Sequence, residues 1–181
     1  MTGSSWSALT SAGAAVFAGV LFAHAAWHKL ADFAAFKGLV ADYQVTPEPA
    51  VTTVAGMVAA AEVAVVCALV LHETRHSGAL LAIAMLVGYA AAMALNILRN
   101  RRHIDCGCGG PEHAIDWSLV IRNIVLAAIV AVVLLSNAAA LSFVEAAVAV
   151  AAGVALWSVF VVVEQVRANA AHFRALSPER A

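Results

Sequence analysis

Two cysteines separated by one glycine, Cys106 and Cys108, are the residues of this chain whose type and spacing best suit covalent chemistry. The glycines beside them carry no Cβ atom, so a tight loop can bring the two sulfurs together or admit a thiol from another protein. A disulfide that closes so short a loop is strained and is therefore easily reduced. The spacing favours an electron-carrying pair over a disulfide that only stabilises a fold.

A metal site is the alternative interpretation of the same segment. His103 and His113 flank the cysteines, and the four side chains form a compact ligand set for zinc or copper. The cysteine spacing is tighter than in the usual structural zinc sites. A third alternative is a non-catalytic membrane subunit that anchors or assembles a larger complex and tolerates the loss of both cysteines.

The overall composition indicates an integral membrane protein. Hydrophobic residues make up 64% of the chain and charged residues only 12%, and the mean hydropathy is +0.91. In soluble globular domains roughly half of the residues are apolar and about a quarter are charged. The lipid bilayer is therefore the first expected partner. The net charge of −1 gives no indication of a nucleic-acid partner.

Five long apolar segments predict an all-α integral membrane bundle. Each is close to the roughly 20 residues that cross about 30 Å of hydrocarbon. They cover residues 8–27, 50–71, 78–98, 117–136 and 138–163. An interfacial helix is expected at 32–45, where apolar residues recur at helical spacing, and a cytoplasmic tail is expected at 164–181. The whole chain, residues 1–181, is predicted to form a single membrane domain.

The basic residues are distributed unevenly between the two sides of such a bundle. Arg75 lies on one side, whereas the other nine lysines and arginines lie on the opposite side. Because positively charged loops stay in the cytoplasm, we expect an N-terminus outside the cell and a C-terminus inside it, in the plasma membrane. The same rule places the loop with Cys106 and Cys108 on the cytoplasmic face.

Several polar side chains interrupt the apolar spans, and such groups normally face the interior of a bundle and find partners there. They are His24, His28, Lys29, Glu62, Asn96, Arg122 and Asn123. With a rise of about 1.5 Å per residue along a helix, His28, Lys29, Asn96 and Arg122 fall near the cysteine loop, while Glu62 lies near mid-membrane. We expect one polar cluster beneath the loop, with Arg122 turned inward towards Glu62.

Two interpretations of this cluster are open. In the first, Lys29 or Arg122 lowers the pKa of a cysteine thiol and favours the reactive thiolate, while Glu62 organises the polar interior together with Asn96 and Asn123. In the second, a buried pair of Glu62 with Arg122 only fixes the register of the helices.

Histidines and a further cysteine add three candidates. His24 and His28 are four residues apart on one helix face, where they can ligate haem, contact a quinone headgroup, or simply hydrogen-bond to neighbours. Asn96 and Asn123 are further candidates for contact with such a cofactor. Cys67, towards the opposite end of its span, is either a small buried hydrophobic residue or an electron relay. A disulfide from Cys67 to the cysteine loop would have to cross much of the bilayer, which the reach of a disulfide forbids.

The order of these residues resembles that of the methylamine-utilisation protein MauE family, within the broader DoxX-like membrane group. The resemblance covers roughly residues 13–135. It is carried, in chain order, by Lys29, Tyr43, Pro47, Glu62, Asn96, Arg101, Asp105-Cys106-Gly107-Cys108, Trp117-Ser118 and Arg122-Asn123. The chain departs from the pattern at Gly109, where an aromatic residue commonly follows the second cysteine, and in having a fifth span.

The resemblance implies a four-helix core associated with thiol-disulfide exchange through Cys106 and Cys108. It also implies a thioredoxin-like partner and a role in maturing a disulfide-rich exported dehydrogenase subunit. Such a client lies outside the cell membrane, whereas the charge distribution places the cysteines inside. Either the pair exchanges electrons at the cytoplasmic face for transfer across the membrane, or the fifth span is not inserted as predicted.

Overall fold

The computed structural model describes residues 3–101, 115–135 and 141–175. Six α-helices account for most of these residues: α1 Gly3–Ala31, α2 Phe33–Asp42, α3 Val51–Val70, α4 Arg75–Leu98, α5 Trp117–Ala131 and α6 Phe143–Ala175. Short 3-10 turns in the same ranges cover Glu48–Ala50, His72–Thr74 and Val132–Leu135. The predicted all-α bundle is confirmed.

All of these helices except α2 are long and apolar enough to cross a membrane. The five candidate spans within the described ranges are Trp6–Ala31, Glu48–Val70, Arg75–Leu98, Trp117–Leu135 and Phe143–Ala170. Large apolar side chains such as Val159 and Val162 lie exposed on α6, as expected of a helix that faces lipid. The chain is a multi-pass membrane protein. Its last helix extends to Ala175, so helical structure continues into the segment predicted as a tail.

The first helix, α1, packs against helices that do not follow it directly in the chain. It contacts α3 on one side and α6 on another, while α4 packs against both α3 and α5. The main apolar core between these helices includes the buried side chains of Phe17, Phe22, Val65, Leu86 and Val130. A second cluster joins the α2–α3 connection to α4 and α5 through Tyr43, Met93, Ile97, Ile115 and Leu119.

The contact between α1 and α6 depends on Gly153. A Cβ atom at this position would lie 2.6 Å from Val16 Cβ and 2.8 Å from the Gly13 carbonyl oxygen. Neither distance is compatible with normal packing, so the two helices approach as closely as they do because the side chain is absent. Small residues commonly allow this kind of approach in membranes, where water provides no hydrophobic drive between helices.

Between α5 and α6, by contrast, the helices hardly pack against each other in the part of the chain that the structure describes. At one end, the 3-10 turn after α5 packs on α1, and Ser11 Oγ donates a hydrogen bond of 3.4 Å to the Val133 carbonyl oxygen. At the other end, polar side chains bridge α5 and α6. The space between these two points is a cavity rather than a helix interface.

The short helix α2 lies against α3 and corresponds to the expected interfacial segment. Asp32 caps its N-terminus by accepting a hydrogen bond of 2.9 Å from the Ala35 backbone N–H. Phe36 and Tyr43 turn inward and are both 8% exposed. The depth of α2 relative to a bilayer stays a prediction.

The polar end of the bundle is defined here as the end at which α1 and α4 finish and α5 begins. After α4, the Arg101 N–H donates a hydrogen bond of 2.9 Å to the Asn96 carbonyl oxygen. Asp116 then caps α5 by accepting a hydrogen bond of 3.0 Å from the Leu119 N–H. The intervening residues 102–114 lie outside the described residues, and with them His103, Cys106, Cys108 and His113.

Candidate functional site

A buried ion pair joins α1 to α3 near the polar end. Lys29 Nζ lies 2.7 Å from Glu62 Oε1, and the side chains of Lys29 and Glu62 are 5% and 0% exposed. An unpaired charge in so apolar a position is costly, so each residue supplies the counter-ion that the other needs. Both residues were predicted to belong to the polar interior, and the structure brings them into direct contact.

Aromatic side chains complete the surroundings of this pair. The Tyr89 hydroxyl donates a hydrogen bond of 2.7 Å to Glu62 Oε1, the same oxygen that Lys29 contacts. Lys29 Nζ also lies 5.3 Å from the ring centre of Phe36 and 5.6 Å from that of Tyr89, within cation–π range. The second carboxylate oxygen, Glu62 Oε2, is buried without a hydrogen-bond partner among the residues that the structure describes.

A second ion pair bridges α5 and α6, and it corrects one prediction. Arg122 Nη1 lies 2.6 Å from Glu164 Oε2, so the predicted pair of Glu62 with Arg122 is wrong. The depth of a residue along its helix indicates its level in the membrane but not the direction in which its side chain points. Arg122 reaches Glu164 of α6, while Lys29 supplies the charge that Glu62 needs.

The bridge between α5 and α6 extends towards the end of α5. Arg167 donates to Glu164 Oε1 at 3.1 Å and also to the Ser118 hydroxyl, which in turn donates to Asp116 Oδ1 at 2.5 Å. Burial raises the pKa of the Asp116 carboxyl, but the hydrogen bonds from Ser118 and the Leu119 N–H, with the charge of Arg167, together hold the pKa below its ordinary value of 3.8.

Both ion pairs line one cavity of about 480 Å³. The cavity is partly open rather than sealed. The charged and polar residues around it are Lys29, Glu62, Arg122, Glu164, His24, Tyr89, Asn123 and Gln165. Its apolar walls include Leu21, Phe22, Leu86, Leu126, Trp157 and Phe160. This volume lies within the roughly 300–1,000 Å³ that is typical of small-molecule sites, and apolar walls with a few polar groups are typical as well.

Of the four residues predicted to contact a cofactor, two line the cavity and two do not. His24 and Asn123 line the cavity, and the ring centre of His24 lies 5.9 Å from that of Trp157. His28 stacks edge-on against His24, with ring centres 4.6 Å apart, but it is exposed and does not line the cavity. Asn96 is fully buried away from the cavity, where its side-chain amide donates to the Tyr43 carbonyl oxygen at 3.0 Å.

The described ranges include one of the three cysteines, Cys67, which does not line the cavity. Cys67 is a free thiol exposed on the surface of α3, so it is not the small buried residue that its apolar span suggested. Within the described ranges, no group of three or more His, Cys, Asp or Glu residues could hold a metal ion. The alternative ligand set of His103, Cys106, Cys108 and His113 lies outside these ranges, as does the proposed exchanging pair.

Among the cavity residues that were not singled out from the sequence are Tyr89, Trp157 and Glu164. Tyr89 and Trp157 stand in apolar helices, where an aromatic residue is more often part of the core or of the lipid-facing surface. Glu164 was assigned to the polar tail because it follows the most apolar part of the last span. Its spacing from Arg167, three residues along a helix, was the available signal that it continues a helical face.

With this geometry in place, the chain can be compared with known proteins. Residues 6–136 match the family described as "Methylamine utilisation protein MauE". The matched range includes α1 to α5 and the cysteine segment between α4 and α5. The chain belongs to the MauE family. The predicted membership is thereby confirmed for MauE, and the wider DoxX-like grouping stays a prediction.

Curated MauE proteins resemble the chain over part of their length. The MauE protein of Paracoccus denitrificans is 40% identical over 116 residues, which is 63% of this chain and 62% of the relative. That of Paracoccus versutus is 36% identical over 114 residues, 62% of this chain and 61% of the relative. That of Methylorubrum extorquens (strain AM1) is 34% identical over 110 residues, 60% of this chain and 59% of the relative.

The chain thus spans about three fifths of the length of the MauE relatives that it matches. No solved structure matches it. The family match ends before α6, the helix that supplies Trp157 and Glu164 to the cavity. In this MauE protein the site is therefore built partly from the matched region and partly from the helix that follows it.

Proposed function

We propose that this MauE protein exchanges electrons with a thioredoxin-like partner through Cys106 and Cys108, and so supports the maturation of an exported disulfide-containing protein of methylamine utilisation. The observation that carries the proposal is the position of the Cys-Gly-Cys sequence between α4 and α5. Both described flanks of this segment, Arg101 and Ile115, lie at the polar end of the bundle. The membership of the family relates the chain to methylamine utilisation.

The exchange proceeds in two balanced steps. One thiolate of the reduced partner attacks a sulfur of the Cys106–Cys108 disulfide, so that one S–S bond breaks and an intermolecular disulfide forms. The second partner thiolate then attacks that mixed disulfide and releases both cysteines as thiols. The partner leaves with a disulfide, and two electrons and two protons have passed to the cysteine pair.

The buried ion pairs favour a structural role for these charges over a role in activating the thiols. Lys29 is paired with Glu62, and Arg122 is paired with Glu164. We therefore assign Lys29, Glu62, Arg122, Asn96 and Asn123 to positioning the helices on which the cysteine segment depends. The proposed orientation has the N-terminus outside and the cysteine segment in the cytoplasm, from the distribution of Lys and Arg.

The experiment that tests the proposal is trapping of the mixed disulfide. In a Cys67→Ala background, Cys106→Ser and Cys108→Ser each leave one thiol that can attack the disulfide of the oxidised partner, which is the second step in reverse. Each also removes the second thiol that would displace the partner from this mixed disulfide, so one of the variants accumulates a covalent adduct with a thioredoxin-like protein. The parent with both cysteines is the matched control and accumulates none. Absence of an adduct from both variants in inserted protein contradicts thiol exchange, and a stoichiometric zinc or copper ion lost in both variants supports the metal alternative.

The proposed orientation is tested separately with a membrane-impermeant maleimide on intact cells. We expect Cys106 and Cys108 to be labelled only after the cells are permeabilised and their disulfide is reduced. Labelling of intact cells after reduction would place the pair outside and contradict the orientation, while leaving the redox proposal in force.

A further inference from the structure

The cavity between α5 and α6 is the feature of the molecule that thiol exchange leaves unexplained. It lies within the membrane-spanning part of the chain and is bordered by residues of α1, α3, α4, α5 and α6. The two helices on either side of it hardly pack against each other in the described ranges. A ligand that enters from the lipid would have to pass between helices, and α5 and α6 hold each other less closely than α1 and α6 or α4 and α5 do in the described ranges.

The cavity lining includes one buried acceptor and one buried donor that have no hydrogen-bond partner among the described residues. The acceptor is Glu62 Oε2, and the donor is Trp157 Nε1. A buried polar group without a partner destabilises the protein, because the group has lost its hydrogen bonds to water. A ligand that both donates and accepts a hydrogen bond would satisfy this pair, whereas a lipid acyl chain would satisfy neither.

The charges around the cavity argue against a charged ligand. Lys29 and Glu62 neutralise each other, as do Arg122 and Glu164 at 2.6 Å. Three aromatic side chains, Phe22, Trp157 and Phe160, provide flat apolar surfaces on which a planar ring can stack. The preferred occupant is therefore a neutral, planar, lipid-soluble molecule with oxygen atoms at its edge.

We propose that this cavity binds the headgroup of a lipid-soluble quinone, with Trp157 Nε1 donating to a ring oxygen and Glu62 Oε2 accepting from the hydroxyl of the reduced form. A quinone oxygen accepts a hydrogen bond, and the same oxygen becomes a donor when the ring is reduced to a quinol. Trp157 Nε1 is thus suited to the quinone, and Glu62 Oε2 is suited to the quinol. The binding site stands on the geometry of the cavity alone.

The electron transfer that such a site would serve rests on the proposed function. Oxidation of the Cys106 and Cys108 thiols to a disulfide releases two electrons and two protons. The quinone takes up both electrons and both protons and becomes a quinol, so the step is balanced. Successive rounds would pass electrons from the thioredoxin-like partner through the cysteine pair into the membrane quinone pool.

The binding site is tested in a chain that cannot perform thiol chemistry. Cys67→Ala, Cys106→Ser and Cys108→Ser are combined, and titration calorimetry of the purified protein in detergent measures the affinity for decylubiquinone. Ala25 lines the cavity and Ala23 is exposed nearby on α1 without lining it. We expect Ala25→Phe to fill the cavity and lower the affinity more than about tenfold, and Ala23→Phe to leave it unchanged.

A second pair of variants keeps the test decisive if Ala25→Phe does not fold. Trp157→Phe preserves the ring but removes the N–H donor, and we expect it to weaken binding by about fivefold. Its control, Trp27→Phe, changes a tryptophan that is 72% exposed and should have no effect. Absence of saturable binding to the cysteine-free chain, or equal affinities in the matched variants, overturns the site.

The electron-transfer step has its own readout. In the full chain, reduced without oxygen, the absorbance of added decylubiquinone should fall as Cys106 and Cys108 become a disulfide. Saturable binding without this fall supports the site and refutes transfer from the cysteine pair. Trapping of the mixed disulfide without any quinone binding supports the proposed function and refutes the site.

Discussion

Lys29 of α1 and Glu62 of α3 form a buried ion pair whose contacting atoms are 2.7 Å apart. Lys29 stands between two cavities, since it lines both the large one and a smaller one of about 130 Å³ beside α2. Tyr89 also lines both and bonds to the same carboxylate. Lys29 and Tyr89 therefore form part of the wall between the two cavities.

Breaking this pair from one side should destabilise the bundle strongly. We expect Lys29→Met and Glu62→Gln each to lower the free energy of unfolding by about 3 kcal/mol, because each leaves a buried charge without its counter-ion. The double variant should recover most of that loss, since neither charge remains. Chemical unfolding in detergent measures all three.

Lys37→Met provides the matched control for these variants, since Lys37 is an exposed lysine of the neighbouring helix α2. Its replacement should change the free energy of unfolding by no more than about 0.5 kcal/mol. A double variant whose loss equals the sum of the two single losses would contradict the coupling between Lys29 and Glu62.

The bridge between α5 and α6 predicts an order of effects. Glu164 accepts from both Arg122 and Arg167, so Glu164→Gln weakens two contacts between charged groups. Arg167→Gln weakens one such contact and the hydrogen bond to Ser118, and the Arg167 side chain is 39% exposed. We expect Glu164→Gln to lower the free energy of unfolding by about 1–2 kcal/mol and Arg167→Gln by less than about 1 kcal/mol. Thermal unfolding compares them with Glu73→Gln, an exposed control; the reverse order would show that the bridge is not centred on Glu164.

Gly153 and Gly19 are glycines in helix interiors with opposite surroundings. A Cβ atom at Gly153 would collide with Val16 and the Gly13 carbonyl, whereas one at Gly19 would have nothing within 4 Å. We expect Gly153→Ala to lower the free energy of unfolding by about 1–3 kcal/mol by forcing α1 and α6 apart. Gly19→Ala should be neutral or stabilise the helix by up to about 1 kcal/mol. Equal effects on the unfolding temperature would contradict the close contact of α1 with α6.

Asp116 predicts a dependence of stability on pH. Because its pKa in the folded protein lies below the ordinary value of 3.8, its ionised form stabilises the fold above that pH, and the contribution is lost as the pH falls through the folded pKa. Asp116→Asn keeps a capping side chain but removes the charge, so its stability should fall less steeply below pH 3.8 than that of the parent.

Asp116→Ala separates the cap from the charge. It should cost about 1 kcal/mol at neutral pH, because the Leu119 N–H loses its acceptor. Unfolding temperatures measured between neutral and acidic pH compare the three proteins. Parallel curves for the parent and Asp116→Asn would show that the carboxylate charge contributes nothing to folding.

Much of the fold follows from composition and periodicity, because a membrane span has a length set by the bilayer and an apolar character that is visible residue by residue. The five spans and the helix after Asp32 were predictable for this reason. The polar interior was also predictable in part, since charged groups at membrane depth must find partners. That argument identified Lys29, Glu62 and Arg122.

The pairing of these charges was not predictable, because it depends on how the helices are arranged around one another. Nothing in the chain order indicates that α6 returns to pack on α1, which places Glu164 beside Arg122. Trp157 joins the site for the same reason. The sequence shows which polar residues of the spans need a partner. Which residue serves as that partner depends on how the helices are arranged in the fold.

The packing of α6 on α1 also sets the order in which the protein can be completed during synthesis. The pair of Lys29 with Glu62 needs only α1 and α3, whereas the pair of Arg122 with Glu164 needs α6, which leaves the ribosome after α5. Until residue 164 emerges from the ribosome, Arg122 lacks the Glu164 carboxylate. The arrival of α6 is therefore the step of synthesis that adds the second buried ion pair to the bundle.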